Sequence, residues 1–356
     1  MRIAVIGVGL IGGSIALAAR HRLGAEVAGF DVSGSALDAA LGRGVLSRRC
    51  DSAAEALHEA DAAFVAVPVG ALVATVGAAL QDAADDCVVT DAGSTKRTVV
   101  AAHADRRFVG GHPLSGAETS GVEHARADLF EGATWYLTPT RDTSGVLYER
   151  LHRLVHGLGA QPTAIDAQTH DRILATVSHL PHVLANVLVS QAAGTLAGSD
   201  ERLPATGPSF RDATRVAGAP SAIWTDIYLS NADALTAELD STMQRLAAIR
   251  AALAAGDGQA ITRWNDSAAG DRKRLHEGQL AGGPLFELRA SVPNRPGVIA
   301  ELALELGRAG VNITDMALYP ASDMSEGVVA LWIAGAPAAL RAQELVAGLG
   351  FPVARA

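Results

Sequence analysis

A strand-like run, Arg2–Val8, leads into Gly7-Val-Gly9-Leu10-Ile11-Gly12, and Asp31 closes the next strand-like run 19 residues beyond the third glycine. This order constrains the fold more than any other feature of the chain. Gly7 permits a tight turn and Gly9 lets backbone approach a pyrophosphate. Gly12 lets the following helix pack on the strand while its first N–H groups face the anion. Leu10 and Ile11, between the glycines, belong to the same cofactor-binding turn. Asp31 stands where a carboxylate accepts hydrogen bonds from an adenosine ribose. The same charge repels a ribose 2′-phosphate, and Val32-Ser33-Gly34-Ser35 supplies no arginine to reverse the choice. NAD is therefore expected as cofactor, with Val67 and Pro68 lining its crevice from the end of a later strand.

The pattern continues as a doubly wound α/β sheet. Apolar runs at Glu26–Asp31, Ala62–Pro68, Cys87–Asp91, Arg107–Gly111 and Thr134–Pro139 alternate with alanine-rich helical stretches, as parallel strands joined by crossover helices do. Fully apolar strands such as Ala62–Val67 suit a sheet covered on both faces. Residues 1–165 thus read as a Rossmann-type dinucleotide-binding domain. From 166 to 280 the period is helical, with a break over Gly198–Ser209 where an ordered loop is expected. Residues 285–356 switch to a period of two and run in βαββαβ order, a ferredoxin-like arrangement.

Composition narrows the function. The net charge of −9 offers no basic footprint for nucleic acid or anionic lipid. Cys50 and Cys87 fall in no zinc or disulfide spacing, so no metal is expected and a reducing cytoplasm suits the chain. The uncharged run Ile3–Ala19 imitates an export signal, but Gly7, Gly9, Gly12 and Gly13 weaken any inserted helix and the run is short for a bilayer. No membrane span is expected.

Polar constellations follow at the carboxyl ends of strands, where open α/β sheets bind ligands. Asp91-Ala-Gly-Ser94-Thr-Lys96 turns from strand to helix, and Gly110-Gly-His112-Pro-Leu-Ser115-Gly-Ala-Glu118 places an imidazole in a glycine-rich turn. A histidine of ordinary pKa near ~6.5 is suited to accept a proton at neutral pH. Ser94 alone reads more readily as a helix N-cap than as a catalytic group. In the helical domain, Ser178-His-Leu-Pro-His182 puts Ser178 and His182 four apart on one helix face, with a kink expected at Pro181. Arg215, in Arg-Asp-Ala-Thr-Arg215, would ordinarily be a surface or helix-end charge, but a dianionic substrate would let its guanidinium grip a carboxylate through two parallel bonds.

Taken together and in this order, these five motifs resemble the prephenate dehydrogenase (TyrA) family over roughly residues 1–280. The last 72 residues resemble an ACT domain, an amino-acid-binding regulatory module. The resemblance implies NAD-dependent oxidative decarboxylation of prephenate to 4-hydroxyphenylpyruvate in tyrosine biosynthesis. Arogenate, or both acids, is the alternative substrate. It implies that His112 accepts the hydrogen bond or proton of the ring hydroxyl and that Ser94 holds that hydroxyl. Arg215 and His182 bind substrate, with Ser178 beside them and Glu118 near the entrance. Ser115 stands where the family commonly has alanine. In the terminal module, Asn294, Gly297, Val298 and Asn312 are the expected effector contacts and tyrosine the expected effector; a role in assembly alone is the alternative. The helical domain's apolar faces, around Ile223–Leu253, imply a homodimer.

Overall fold

The computed structural model describes residues 1–116, 119–196, 207–277, 284–321 and 326–355. They form two compact units: Met1–Asp171 together with Leu285–Ala356, and Arg172–Pro284.

In the first unit, β1 (Arg2–Ile6), α1 (Leu10–Leu23), β2 (Glu26–Phe30), α2 (Gly34–Gly42), β3 (Arg48–Arg49), α3 (Ala53–Leu57), β4 (Ala62–Val65), α4 (Val69–Asp82), β5 (Val88–Asp91), α5 (Arg97–Ala102) and β6 (Phe108–Pro113) alternate as expected. They are followed by β7 (Thr134–Thr138), α6 (Gly145–Gly157) and β8 (Gln161–Ala164). Among the described residues the sheet order is β3-β2-β1-β4-β5-β6-β7-β8. Its central strands are buried on both faces, with Val5, Phe64 and Val89 wholly enclosed. The short strands β3 and β8 carry too little apolar periodicity to be recognised beforehand.

One expectation needs correction. The sheet is not parallel throughout, because β7 runs antiparallel to β6, pairing His112 with Tyr136. Between these strands the described residues include only a 3-10 turn at Val122–His124. Without a crossover helix the chain returns alongside the strand it left. The same pairing extends β6 through Pro113, so His112 sits in a strand and not in a turn. Gly110 and Gly111 are required there by crowding. A Cβ on Gly110 would lie 2.3 Å from Thr138 Oγ1, and one on Gly111 2.5 Å from the Asp91 carbonyl.

The C-terminal residues of this unit form β9 (Leu285–Pro293), α13 (Val298–Arg308), β10 (Ile313–Pro320), β11 (Glu326–Ala334), α14 (Ala336–Gly348) and β12 (Val353–Arg355). The helices numbered between lie in the preceding segment and are given below. The sheet order β10-β11-β9-β12, antiparallel throughout, is that of a βαββαβ ferredoxin-like, ACT-like module. The module is seated on the nucleotide-binding sheet and α6. His152 Nε2 bonds the Ile313 carbonyl at 3.2 Å, Thr163 Oγ1 donates to Asn312 Oδ1 at 3.0 Å, and Gly307 lies so close to Ala164 that a Cβ would meet its carbonyl at 1.9 Å.

The helical segment contains α7 (Ala167–Leu174), a π-helical turn at Ala175–His179, α8 (Leu180–Leu196), α9 (Pro208–Thr214), α10 (Ser221–Ser230), α11 (Ala232–Ala255) and α12 (Gly258–Glu277). Pro181, where a kink was expected, stands in the first turn of α8 directly after the π turn. Proline has no N–H and crowds the carbonyl four residues back, and widening the preceding turn relieves both. Ser178 and His182 are consequently not related by regular α-helical spacing. The uninterrupted run Ala167–Thr195 has the length and apolarity to cross a membrane by composition alone. Pro181 breaks this run in the sequence. A single such helix is weak ground for a span, and His179, His182 and Ala185 on it are buried within the protein. Most of the expected loop at Gly198–Ser209 lies outside the described residues, and α9 already begins at Pro208.

Candidate active site

The cofactor turn has the geometry its glycines require. Gly7 has φ +93°, and a Cβ there would stand 2.4 Å from the Ala66 carbonyl; one on Gly12 would stand 1.9 Å from the Gly7 carbonyl. Gly9 is different. Nothing in the protein lies within 4 Å of where its Cβ would be, and α1 begins with no side-chain cap on its first turn. An open space facing unsatisfied N–H groups at a helix start is a cradle for a pyrophosphate. Asp31, just beyond β2, holds this turn in shape: its carboxylate accepts from Val8 N at 2.7 Å and Ser33 N at 2.8 Å. Two more lone-pair positions remain for a ribose diol. The glycine turn and Asp31 therefore fit NAD, and Val67 and Pro68 follow β4 in the same sheet.

Asp91 organises the next two motifs. Its carboxylate accepts from Gly93 N at 2.8 Å, from Gly111 N at 3.1 Å and from the ammonium of Lys96. It thereby ties the turn carrying Ser94 to the strand carrying His112. Lys96 and Asp91 are both fully buried, and that burial pushes the Lys96 ammonium below its ordinary pKa.

Behind His112 stands a chain of groups that the sequence reading does not anticipate. His112 Nδ1 lies 2.9 Å from His170 Nε2, and His170 Nδ1 lies 2.7 Å from Asp171 Oδ1. Asp171 also accepts from Lys96 N at 2.7 Å, from Arg97 N at 3.0 Å and from Arg97 Nε at 3.3 Å. Burial alone would raise the Asp171 carboxyl, but the bonds from His170, Arg97 and Lys96 outweigh it and hold the group below its usual range. Burial pushes the His170 imidazole below its ordinary pKa, against the raising effect of its bond to Asp171. The Tyr136 ring meets His170 edge-on at 5.5 Å. A sequence offers no spacing rule that would pair His112 with a histidine 58 positions later.

In the second unit, His182 is buried and stacked on Trp224, with ring centroids 3.4 Å apart and planes 26° from parallel. Burial lowers its pKa. His179 bonds Asn231 through Nδ1 at 3.2 Å, where the wholly buried Asn231 separates α10 from α11. Ser178 is half-buried, and Arg215 is exposed just past the end of α9. Glu118 lies outside the described residues. Ser115 donates to the Leu129 carbonyl, which gives its hydroxyl a structural partner. In the C-terminal module, Asn294 and Val298 line a cavity of about 310 Å³ together with Ser144, Gly145 and Leu318. Gly297 has φ +83° and approaches the Arg141 backbone closely, while Asn312 is engaged by Thr163.

Comparison with known proteins decides the family. The nucleotide-binding domain of prephenate dehydrogenase matches residues 15–163, and the dimerization domain of the same enzyme matches residues 166–266. Prephenate dehydrogenase of Bacillus subtilis is 34% identical over 338 residues, covering 92% of this chain and 90% of the relative. This chain belongs to the prephenate dehydrogenase, or TyrA, family. Two solved structures resemble it: Synechocystis arogenate dehydrogenase (27% identity, TM-score 0.68, 77% of this chain and 100% of that one) and A. aeolicus prephenate dehydrogenase in complex with hydroxyphenyl propionate and NAD+ (25%, 0.71, 77% and 98%). The protein is accordingly an NAD-dependent dehydrogenase of TyrA type acting on a cyclohexadienyl acid. The 92% match to the B. subtilis enzyme is too long to stop short of the C-terminal module.

Proposed function

We propose that the chain is a prephenate dehydrogenase that oxidises prephenate to 4-hydroxyphenylpyruvate with loss of carbon dioxide, serving tyrosine biosynthesis in the cytoplasm. Residues 1–165, 166–280 and 285–356 are its functional divisions. The observation that carries the reading is the 2.9 Å contact between His112 Nδ1 and His170 Nε2, which gives the Nδ1 edge of the ring to the protein. An imidazole whose Nδ1 carries the proton presents its lone pair on Nε2, as a proton acceptor requires.

NAD, when bound, supplies the hydride acceptor. The protein's own part is to hold the ring hydroxyl at Ser94, take its proton at His112 Nε2, and offer His182 and Arg215 to the carboxylates. Ser178 and Glu118 complete the substrate contacts. Because decarboxylation restores an aromatic ring, the protein has chiefly to orient the substrate and receive one proton. Arogenate differs in carrying an amine where prephenate has a ketone, and the arogenate dehydrogenase among the similar structures keeps it as the second reading.

The C-terminal module is proposed as an ACT regulatory domain that binds tyrosine at Asn294, Gly297, Val298 and Asn312. The cavity beside Asn294 and Val298 supports this role. A homodimer is proposed through the helical domain, where Val187, Leu229, Met243, Leu246 and Leu253 are exposed apolar side chains in need of cover.

One assay tests the whole reading. Absorbance at 340 nm is followed with NAD or NADP against prephenate and arogenate, with and without tyrosine. Turnover of prephenate with NAD, slowed by tyrosine, is expected. Turnover of arogenate alone would replace the substrate, and no turnover of either acid would remove the function.

A further inference from the structure

The chain of bonds behind His112 has a direction. Asp171 is a carboxylate, so the hydrogen shared with His170 Nδ1 belongs to the ring. Burial disfavours a charge on His170, and a neutral ring whose Nδ1 hydrogen faces Asp171 has its lone pair on Nε2. The hydrogen in the 2.9 Å contact between the two imidazoles must then come from His112 Nδ1. A second consequence follows from Asp171 also accepting the N–H groups of Lys96 and Arg97. One carboxylate thus indexes both the strand-borne imidazole and the start of α5, immediately after Ser94.

We propose that His170 and Asp171 are positioning residues for the reaction: they fix His112 in the Nδ1–H tautomer, stabilise the imidazolium formed when it takes the substrate proton, and hold Ser94 in register with it. The inference rests on the reading of His112 as proton acceptor. The proton itself moves only from the substrate hydroxyl to His112 Nε2. His170 receives a stronger hydrogen bond from the cationic ring and Asp171 remains ionised, as in other carboxylate-supported histidine bases. The charged groups around His170 are Asp171, Lys96 and Asp91, with Arg97 on the far side of Asp171 and the Tyr136 ring against one edge. Of these, Asp171 is joined to His112 through a continuous hydrogen-bonded path.

The test is a set of variants on the full chain, with NAD binding followed by fluorescence to confirm that each is folded. Asp171→Asn reverses the donor order by offering an amide, and should lower kcat by ~10²–10⁴, the range of a positioned acid–base group. It should also move the acid limb of the kcat/KM profile to lower pH, since the carboxylate that favours the imidazolium is gone. His170→Phe should lower kcat similarly, whereas His170→Gln, whose amide oxygen still accepts from His112 Nδ1, should recover a large part of the loss. In a His112→Asn background, His170→Phe should cost nothing further, because its effect is exerted through His112. An unmoved acid limb in Asp171→Asn, or an undiminished loss from His170→Phe when His112 is already replaced, overturns the positioning role. If His170→Phe fails to fold, the Gln variant and the pH profile of Asp171→Asn decide. An unchanged kcat in His112→Asn alone would instead overturn the proton-acceptor reading on which this one rests.

Discussion

Lys96 and Asp91 form an ion pair from which solvent is wholly excluded, at the point where β5 turns towards α5. The carboxylate's other bonds run to Gly93 and Gly111, so the pair is the joint between the two motifs that carry Ser94 and His112. Removing one partner of a buried pair leaves a charge without compensation, which typically costs about 3–5 kcal/mol. Lys96→Met should therefore lower stability by about that amount in urea unfolding, and reduce kcat as the two motifs lose register. A loss below about 1 kcal/mol would mean that water or a neighbour replaces the ammonium.

Two glycines of the cofactor turn, Gly9 and Gly12, should respond differently to a methyl group. Gly9→Ala meets open space, so its Tm should stay close to that of the parent while NAD affinity falls by roughly tenfold or more as the methyl occupies the pyrophosphate's approach. Gly12→Ala drives a Cβ into the Gly7 carbonyl and should destabilise the fold by about 3 kcal/mol or more. Calorimetric melting and NAD titration on the two variants separate these outcomes. Equal effects on both quantities would contradict the geometry.

His152 predicts a pH dependence. Burial between α6 and the C-terminal module pushes its pKa down to about 4, and its Nε2 bonds the Ile313 carbonyl. An unfolded histidine titrates near ~6.5, so between these values the unfolded chain binds the extra proton and the folded one does not. The stability associated with neutral His152 is complete above ~6.5 and disappears as pH falls towards about 4. The loss at that limit amounts to roughly 3 kcal/mol. Melting temperature measured from pH 7.5 to 4.5 should fall more steeply for the parent than for His152→Gln, and parallel curves would count against the assignment.

Arg215 stands exposed beyond α9, where a helix-end charge would ordinarily do little. If it receives a substrate carboxylate, Arg215→Ala should lose about 1.5–3 kcal/mol of binding, the range for hydrogen bonds to charged groups. Steady-state kinetics would read this as a KM for prephenate raised roughly 10- to 100-fold with kcat changed less. An unaltered KM would return the residue to a surface role.

The nucleotide-binding half was legible in the sequence because its information is local. Gly7, Gly9, Gly12 and Asp31 lie within one βαβ unit, and strand, turn and helix each leave a periodic mark over a few residues. The βαββαβ order of the C-terminal module was readable for the same reason, from the alternation in Phe286–Val292 onward. His112 could be singled out from its neighbours Gly110 and Gly111, yet the sequence placed it in a turn because glycines usually signal one. The strand continues through His112 because β7 pairs with it, and Thr138 and Asp91 leave no room for a Cβ at the two glycines.

Tertiary structure alone decided what stands behind the imidazole. His170 and Asp171 lie 58 and 59 positions beyond His112, and no periodicity links them. Their meeting depends on β5, β6 and the first turn of α7 converging, where burial disfavours a charge on His170 while the bonds from His170, Arg97 and Lys96 keep Asp171 ionised. The same holds for the stacking of Trp224 on His182 and for the seating of Asn312 against Thr163. Composition and periodicity determine which segments become strands and helices, because those depend on neighbours along the chain. Which nitrogen of His112 carries a proton depends on neighbours in space, and only the folded protein supplies them.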